Sequence, residues 1–401
     1  MTTPDSAMVG ARLRAAREAA GMSLDAVAAR TSWSKAALGH FETGRRTPNA
    51  DVISCYERLF KAAIDPVTAM STLGRNDVDR RSFLRRAAYS AATSASALAL
   101  PAEPVQRLIA TDDTRLVGIG EVQALRHVID AFARLDEHRG GGVGRTAVAE
   151  LLATDVTDML RARHASGSVR AQAFSAAAEL AYLAGFKAHD AGHHGLAQRY
   201  YLTALELATE SGIPGHDGWV FRILALQGAD LGQRRFCVDL AEEAVRRVRG
   251  RVDTATEAVF TVALARCHAE TGQHEQARTV LTAAEPGIHT DHVAAVPPWC
   301  AWWCGDKATA HNQTAKAFRA LSEWREAEAH HLEAASFWDP SQHRRVWGRT
   351  IADVGVARWE YGDHSGALEA WASAVPILKT LQSTRADGAL KRIRRRAPEL
   401  V

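Results

Sequence analysis

The sequence predicts an all-α chain made of two unlike helical parts. Three observations carry this. Ala, Leu, Arg and Glu dominate the 401 residues, and runs of β-branched or aromatic residues are scarce, which favours helix almost throughout. Near the start, VGARLRAAREAAGMSLDAVAARTSWSKAALGHFETGRRTP reads as three short helices separated by tight turns. From about Ala171, small residues return at a nearly fixed interval.

The first helix runs from Val9 to about Ala20, with Val9, Leu13, Ala16 and Ala20 at spacings of three and four and Gly21 as its C-cap. Ser23 is an N-cap for a second helix, Leu24–Arg30, with Asp25 in its first turn. Ser34 caps a third, Lys35–Phe41, which ends at Glu42-Thr43-Gly44. Two short helices joined by a tight turn, the second displaying small and basic residues, make a helix-turn-helix.

Arg17, Gly21, Ser23, Val27, Ala28, Trp33, Leu38, Glu42, Gly44 and Pro48 make this stretch resemble the lambda-repressor/Cro-like (XRE) helix-turn-helix family. The resemblance covers about fifty residues, within a head assigned to residues 1–66. It implies an ion pair between Arg17 and Glu42, tying the first helix to the recognition helix. The family commonly opens helix two with a phosphate-binding glutamine; here that place is Leu24. By the same alignment Lys35, Ala36, Ala37 and His40 face the bases, beside the capping Ser34, and Arg45 and Arg46 meet phosphate. Gly39 weakens the helix by up to about 1 kcal/mol relative to Ala. The implied partner is double-stranded DNA, bound by a homodimer on two half-sites about one turn apart.

Charge is unevenly spread. The net is only +3, yet residues 9–61 carry +4, residues 75–86 carry +3 and residues 391–396 (KRIRRR) carry +5, which leaves −9 for the remainder. A basic head on an acidic body fits a protein that meets nucleic acid with one end. The basic tail reads as a solvated helix end, with added phosphate contacts as the alternative.

Residues 67–115 read as a basic, Ala-rich linker. Asp79-Arg80-Arg81-Ser82-Phe83-Leu84-Arg85 resembles a twin-arginine export signal. Such signals are N-terminal, and a DNA-binding module precedes this one. No segment approaches transmembrane length, so no membrane partner is expected. The glycine run at 140–144 looks like a phosphate-binding loop, but Arg139 and Arg145 stand where glycine and lysine are required, and helix rather than strand precedes it. It reads as a flexible helix-to-helix connection within a capping helical pair at 116–170.

Cys55, Cys237, Cys267, Cys300 and Cys304 are odd in number and scattered, so no disulfide framework is implied and a reducing cytoplasm is the natural setting. Cys300-x3-Cys304 with His311 is not one of the strong zinc spacings, and buried thiols are the better reading. No metal or cofactor site and no Ser-His-Asp, paired-carboxylate or reactive-cysteine arrangement emerges from spacing. The chain reads as a non-enzyme.

Residues 171–396 repeat. Aligned on Ala197, Cys237, Ala277, Ala327 and Ala367, the steps are 40, 40, 50 and 40. Seven beyond each anchor lies alanine: Ala204, Ala244, Ala284, Ala334 and Ala374. Five before lies a turn residue: Gly192, Gly232, Gly272, Ser322 or Gly362. Twelve before lies Gly185, Ala225, Ala265, Ala315 or Gly355, and four beyond lies Tyr201, Ala241, Leu281, His331 or Trp371. Small residues let paired helices approach, the turn residue reverses the chain, and bulky side chains fill the neighbouring groove. The array resembles tetratricopeptide (TPR) repeats with longer helices or loops, an α-solenoid.

That resemblance implies a groove lined by the first helix of each pair. Its places fall at Tyr182, Phe186 and His189; Arg222 and Leu226; Val262 and Arg266; Asn312, Lys316 and Arg319; Val356 and Trp359. Cations set among aromatics suit an extended peptide or its carboxylate. The alternative is local pairing of these Arg with Glu and Asp on a solvated face. Eight of ten tryptophans follow residue 298 and are read as packing between repeats. Together the features point to a cytoplasmic, DNA-binding transcription regulator whose repeats dimerise or sense a peptide or small molecule. The alternative is an interaction scaffold whose head does not bind DNA.

Overall fold

A computed structural model of the chain describes residues 4–46, 48, 50–60, 112–232, 234–290, 296–301 and 307–401. They belong to two units, Met1–Arg75 and Asn76–Val401.

The first unit holds helices α1 (Pro4–Ala19), α2 (Leu24–Ala28), α3 (Lys35–Glu42) and α4 (Ala50–Phe60). Ser23 and Ser34 stand in extended backbone ahead of α2 and α3, and their hydroxyls accept from the Ala26 and Ala37 amides at 3.1 and 3.2 Å. Each cap satisfies an amide that the helix itself leaves unpaired. Leu13, Val27, Leu38, Phe41, Val52, Ile53 and Tyr56 form the core. Where α1 crosses α3, Gly10 is required: a Cβ there would lie 3.0 Å from the Glu42 carbonyl and closer still to that of Phe41.

The first described element of the second unit is a strand that the sequence pattern does not announce. β1 (Asp112–Val117) pairs in parallel with β2 (Ala162–His164), bracketing α5 (Ile119–Arg139), α6 (Arg145–Leu151), a π-helical turn at Leu152–Val156 and α7 (Thr157–Arg161). Five helical hairpins follow: α8 (Gly167–Asp190) with α9 (His194–Ser211), α10 (His216–Asp230) with α11 (Cys237–Val248), and α12 (Thr254–Glu270) with α13 (His274–His289). After the one-turn α14 (Pro298–Ala301) come α15 (Lys307–Ala320) with α16 (Trp324–Ser336), and α17 (Arg344–Tyr361) with α18 (His364–Leu378); α19 (Thr384–Arg394) ends the array.

The repeat register maps onto these hairpins. All five anchors lie in the first turn of a second helix and are buried. The turn residues before them adopt the left-handed conformation, with φ between 62° and 97°, and Ser322 is the one non-glycine among them. The longer third step is the stretch that contains α14, whose Trp299 stacks on His216, with ring centroids 5.6 Å apart. Trp302, Trp303 and Cys304 lie outside the described residues, as does the twin-arginine-like segment.

The two ends of the hairpin array meet. On α5, Asp136 pairs with Lys187 of α8 at 3.2 Å and with Arg345 of α17 at 3.1 Å, and Glu137 also bonds Arg345. At the end of α8, Asp190 accepts from Ser383, and its carbonyl accepts from Thr384, both at 2.9 Å. The glycine run supplies the joint. Gln382 donates its amide to Arg139, Gly142 donates to Gln382, and Gly141 donates to the Asp190 carboxylate. A Cβ at Gly140 would stand 2.7 Å from the Gln382 carbonyl, and one at Gly141 2.7 Å from that of Lys187. The expectation of a flexible connection is therefore corrected: the residues lack side chains because three segments of chain touch there. The basic tail belongs to the same closure, since Arg392 and Arg396 bond Asp353 and Glu360 of α17. No helix among the described residues is long and apolar enough to cross a membrane.

Candidate functional site

In the first unit, Arg17 and Glu42 come together. The Arg17 Nε and Nη2 donate to the two Glu42 carboxylate oxygens at 2.7 Å each, and Nη1 donates to the Met22 carbonyl at 2.9 Å. The Tyr56 hydroxyl donates to the same carboxylate at 3.0 Å, and burial, reinforced by that carboxylate, raises the Tyr56 pKa. One buried carboxylate thus fixes α1, α3 and α4 around each other.

What α3 leaves to solvent is a stripe of small and polar groups. Lys35, Ala36, His40 and Thr43 are exposed, as are Ser34, Arg45 and Arg46. Ala37 sits differently from the other positions read as base-facing, since it is half-buried and packs against the core. Thr43, read from the sequence only as part of the helix end, joins this face, and its spacing of seven from Ala36 and three from His40 is the signal that places it there. Lys35 reaches back to Asp25 of α2 at 2.7 Å, in a pair that is well exposed on both sides. The Arg46 guanidinium lies 5.0 Å over the Phe41 ring. At Gly39 a Cβ would meet only Leu24 Cδ1, at an ordinary 3.7 Å.

In the second unit, a cavity of about 190 Å³ lies inside the closed array. Of the residues read as groove-facing, Val262 and Val356 lie outside it, whereas Tyr182, Phe186, His189, Arg222, Leu226, Arg266, Asn312 and Lys316 line it. Arg319 and Trp359 do not. Arg319 pairs with Asp353 at 3.5 Å, and Trp359 packs on Trp371 and His364. The reason is the C-terminal segment, where Arg392 of α19 and Arg396 just beyond that helix lie along the second half of α17 and end the groove there. In place of those two, the fifth hairpin and α19 supply Arg345, Arg349 and Arg385, and α10 supplies Asp230. Sequence reading misses these because they meet only when the array closes.

Asp230 is the central acid. It bonds Arg266, Arg385 at 2.9 Å and His189 at 3.7 Å. Although its burial acts to raise it, the two guanidiniums, Arg266 foremost and then Arg385, hold its carboxyl well below the usual range. Burial pulls Lys316 well below the ordinary lysine range, helped by Arg266 and Arg349, and pulls Arg349 down, helped by Arg385. No group of three or more His, Cys, Asp or Glu among the described residues is placed to hold a metal ion. Cys300 is buried, and His311 contacts His330 through their Nδ1 atoms at 2.9 Å.

The first unit therefore has the geometry of a helix-turn-helix domain, with a capped, exposed third helix on a fixed frame. Residues 9–61 match the helix-turn-helix domain family, which points to a DNA-binding regulator. No curated protein and no solved structure matches the chain.

Proposed function

We propose that this chain is a cytoplasmic, non-enzymatic transcription regulator of the XRE type that binds operator DNA as a homodimer through α3. In this reading its hairpins are a TPR-like array that senses an effector. The observation that carries the reading is the pairing of a capped, exposed recognition helix with a separate unit that holds a charged cavity. Lys35 can donate to guanine in the major groove, Ala36 and His40 lie beside it, and Arg45 and Arg46 supply phosphate contacts. Occupancy of the cavity shifts how two heads are presented to two half-sites, and so shifts DNA affinity.

Selection of bound sequences from a random DNA pool tests this. The expected result is an inverted repeat with half-sites about one helical turn apart, bound with a steep salt dependence. Recovery of no shared sequence, with binding that salt does not weaken, would favour the interaction-scaffold reading instead.

A further inference from the structure

The cavity has more positive charge than its own acids can meet. Six guanidinium or ammonium groups line it (Arg222, Arg266, Lys316, Arg345, Arg349 and Arg385) against two carboxylates, Glu137 and Asp230. Both carboxylates are engaged, Glu137 by Arg345 and Asp230 by Arg266 and Arg385. Asp136, just behind the wall, is shared between Lys187 and Arg345. Asp190 accepts from Gly141 and Ser383, and Asp353 pairs with Arg319 and Arg392.

That leaves Arg222, Lys316 and Arg349 with no ion pair to any described residue. Arg222 is the sharpest case. It is 2% exposed, donates Nε to the Val259 carbonyl at 3.1 Å, lies over the Trp219 ring, and has Nη2 buried with no acceptor. A buried cation held this way is costly unless something completes it. Asn312 Oδ1 and Gln227 Oε1, also lining the cavity, are buried acceptors without donors. Tyr182, Trp219 and Trp338 give the walls aromatic faces.

From this arrangement we infer that the cavity binds a small dianion carrying a ring, a phosphate monoester or a dicarboxylate, with its charge between Arg222, Lys316 and Arg349 and its ring against Trp219 and Trp338. A dianion offsets the excess cations by charge-assisted hydrogen bonds, and Arg presents a fork that suits phosphate and carboxylate alike. At about 190 Å³ the cavity has room for a single-ring molecule. A hydroxyl or amide on the ring would satisfy Asn312 and Gln227.

This inference rests on the proposal that the hairpin unit holds an effector site, and its test is run without DNA, so that failure here leaves the DNA-binding reading standing. The full chain is titrated calorimetrically with phenyl phosphate, phthalate, benzyl alcohol and benzamidine. Saturable binding of phenyl phosphate or phthalate is expected, with none for the neutral alcohol or the cation. Binding of only one dianion decides between ester and dicarboxylate. Lys316→Gln and Arg349→Gln, confirmed as folded by circular dichroism, are each expected to weaken that binding by about tenfold or more. Binding of neither dianion, equal binding of benzyl alcohol, or unchanged affinity in both folded variants would overturn the assignment.

Discussion

The indole of Trp371 lies directly over Gly355, and its Nε1 donates to the Ala352 carbonyl at 3.1 Å. Tyr201 covers Gly185 in the same way in the first hairpin, where a Cβ would stand 2.6 Å from the ring. Where the inner position is alanine the outer one is not a large ring, as with Leu281 beside Ala265. The two places trade volume, and the repeat keeps its helix spacing. Gly355→Ala is therefore expected to cost about 1–3 kcal/mol through overpacking. In a double-mutant cycle by urea unfolding, Gly355→Ala with Trp371→Leu should lose less than the sum of the single changes. Strict additivity would contradict the coupling.

Glu42 gathers Arg17 and Tyr56, so its loss strands both partners. Glu42→Ala is expected to destabilise the first unit by about 2–4 kcal/mol. Hydrogen exchange of the α3 amides should accelerate accordingly, while the amides of the hairpin unit keep their protection. Slow α3 exchange in the variant would show that the carboxylate is dispensable.

The ion pair between Lys35 and Asp25 is exposed, and such pairs are worth about 0–1 kcal/mol, so DNA can take Lys35 at little cost. Asp25→Asn removes a competing anion and should tighten binding to specific and random DNA alike. Lys35→Ala should weaken the selected sequence more than random DNA, and Arg46→Ala should weaken both equally. Mobility-shift titrations on the two DNAs separate these outcomes.

His331 is buried with neither ring nitrogen partnered, and burial pushes its pKa down to about 3. An unfolded histidine titrates near 6.5. As pH falls from about 6.5 toward 3, the unfolded chain takes up a proton that the folded chain refuses, so stability is lost in that window. Burial depresses His216 to about 3 and His311 to about 4, and both act with the same sign. Leu281 holds the place corresponding to His331 in the third hairpin. His331→Leu should accordingly raise the melting temperature at pH 5 more than at pH 8. A shift independent of pH would refute this account.

How much of this was legible in the sequence depends on the range of the contact. The turn glycines, the serine caps and the small residues at helix crossings act within one hairpin, so their spacing alone locates them. Arg17 and Glu42 lie farther apart, and only the resemblance to a known family couples them. The cavity was half visible. Tyr182, Arg222, Arg266 and Lys316 follow the repeat register, but Arg349 and Arg385 reach the same space through closure of the array. No local period encodes that closure, and the same closure removes Arg319 and Trp359. Parallel strands at 112–117 and 162–164 are too short to impose a pattern.

The joint at Gly140–Gly142 and Gln382 changes what kind of object the hairpin unit is. An open stack of repeats behaves like a spring, since it can lengthen, and its terminal turns can peel away while the middle holds. Bonds spanning about half the chain, such as Asp190 with Ser383, make this one a clasped bracelet. Stretching it means opening the clasp first. A molecule entering its centre would then act on every hairpin at once, not on the one it happens to touch.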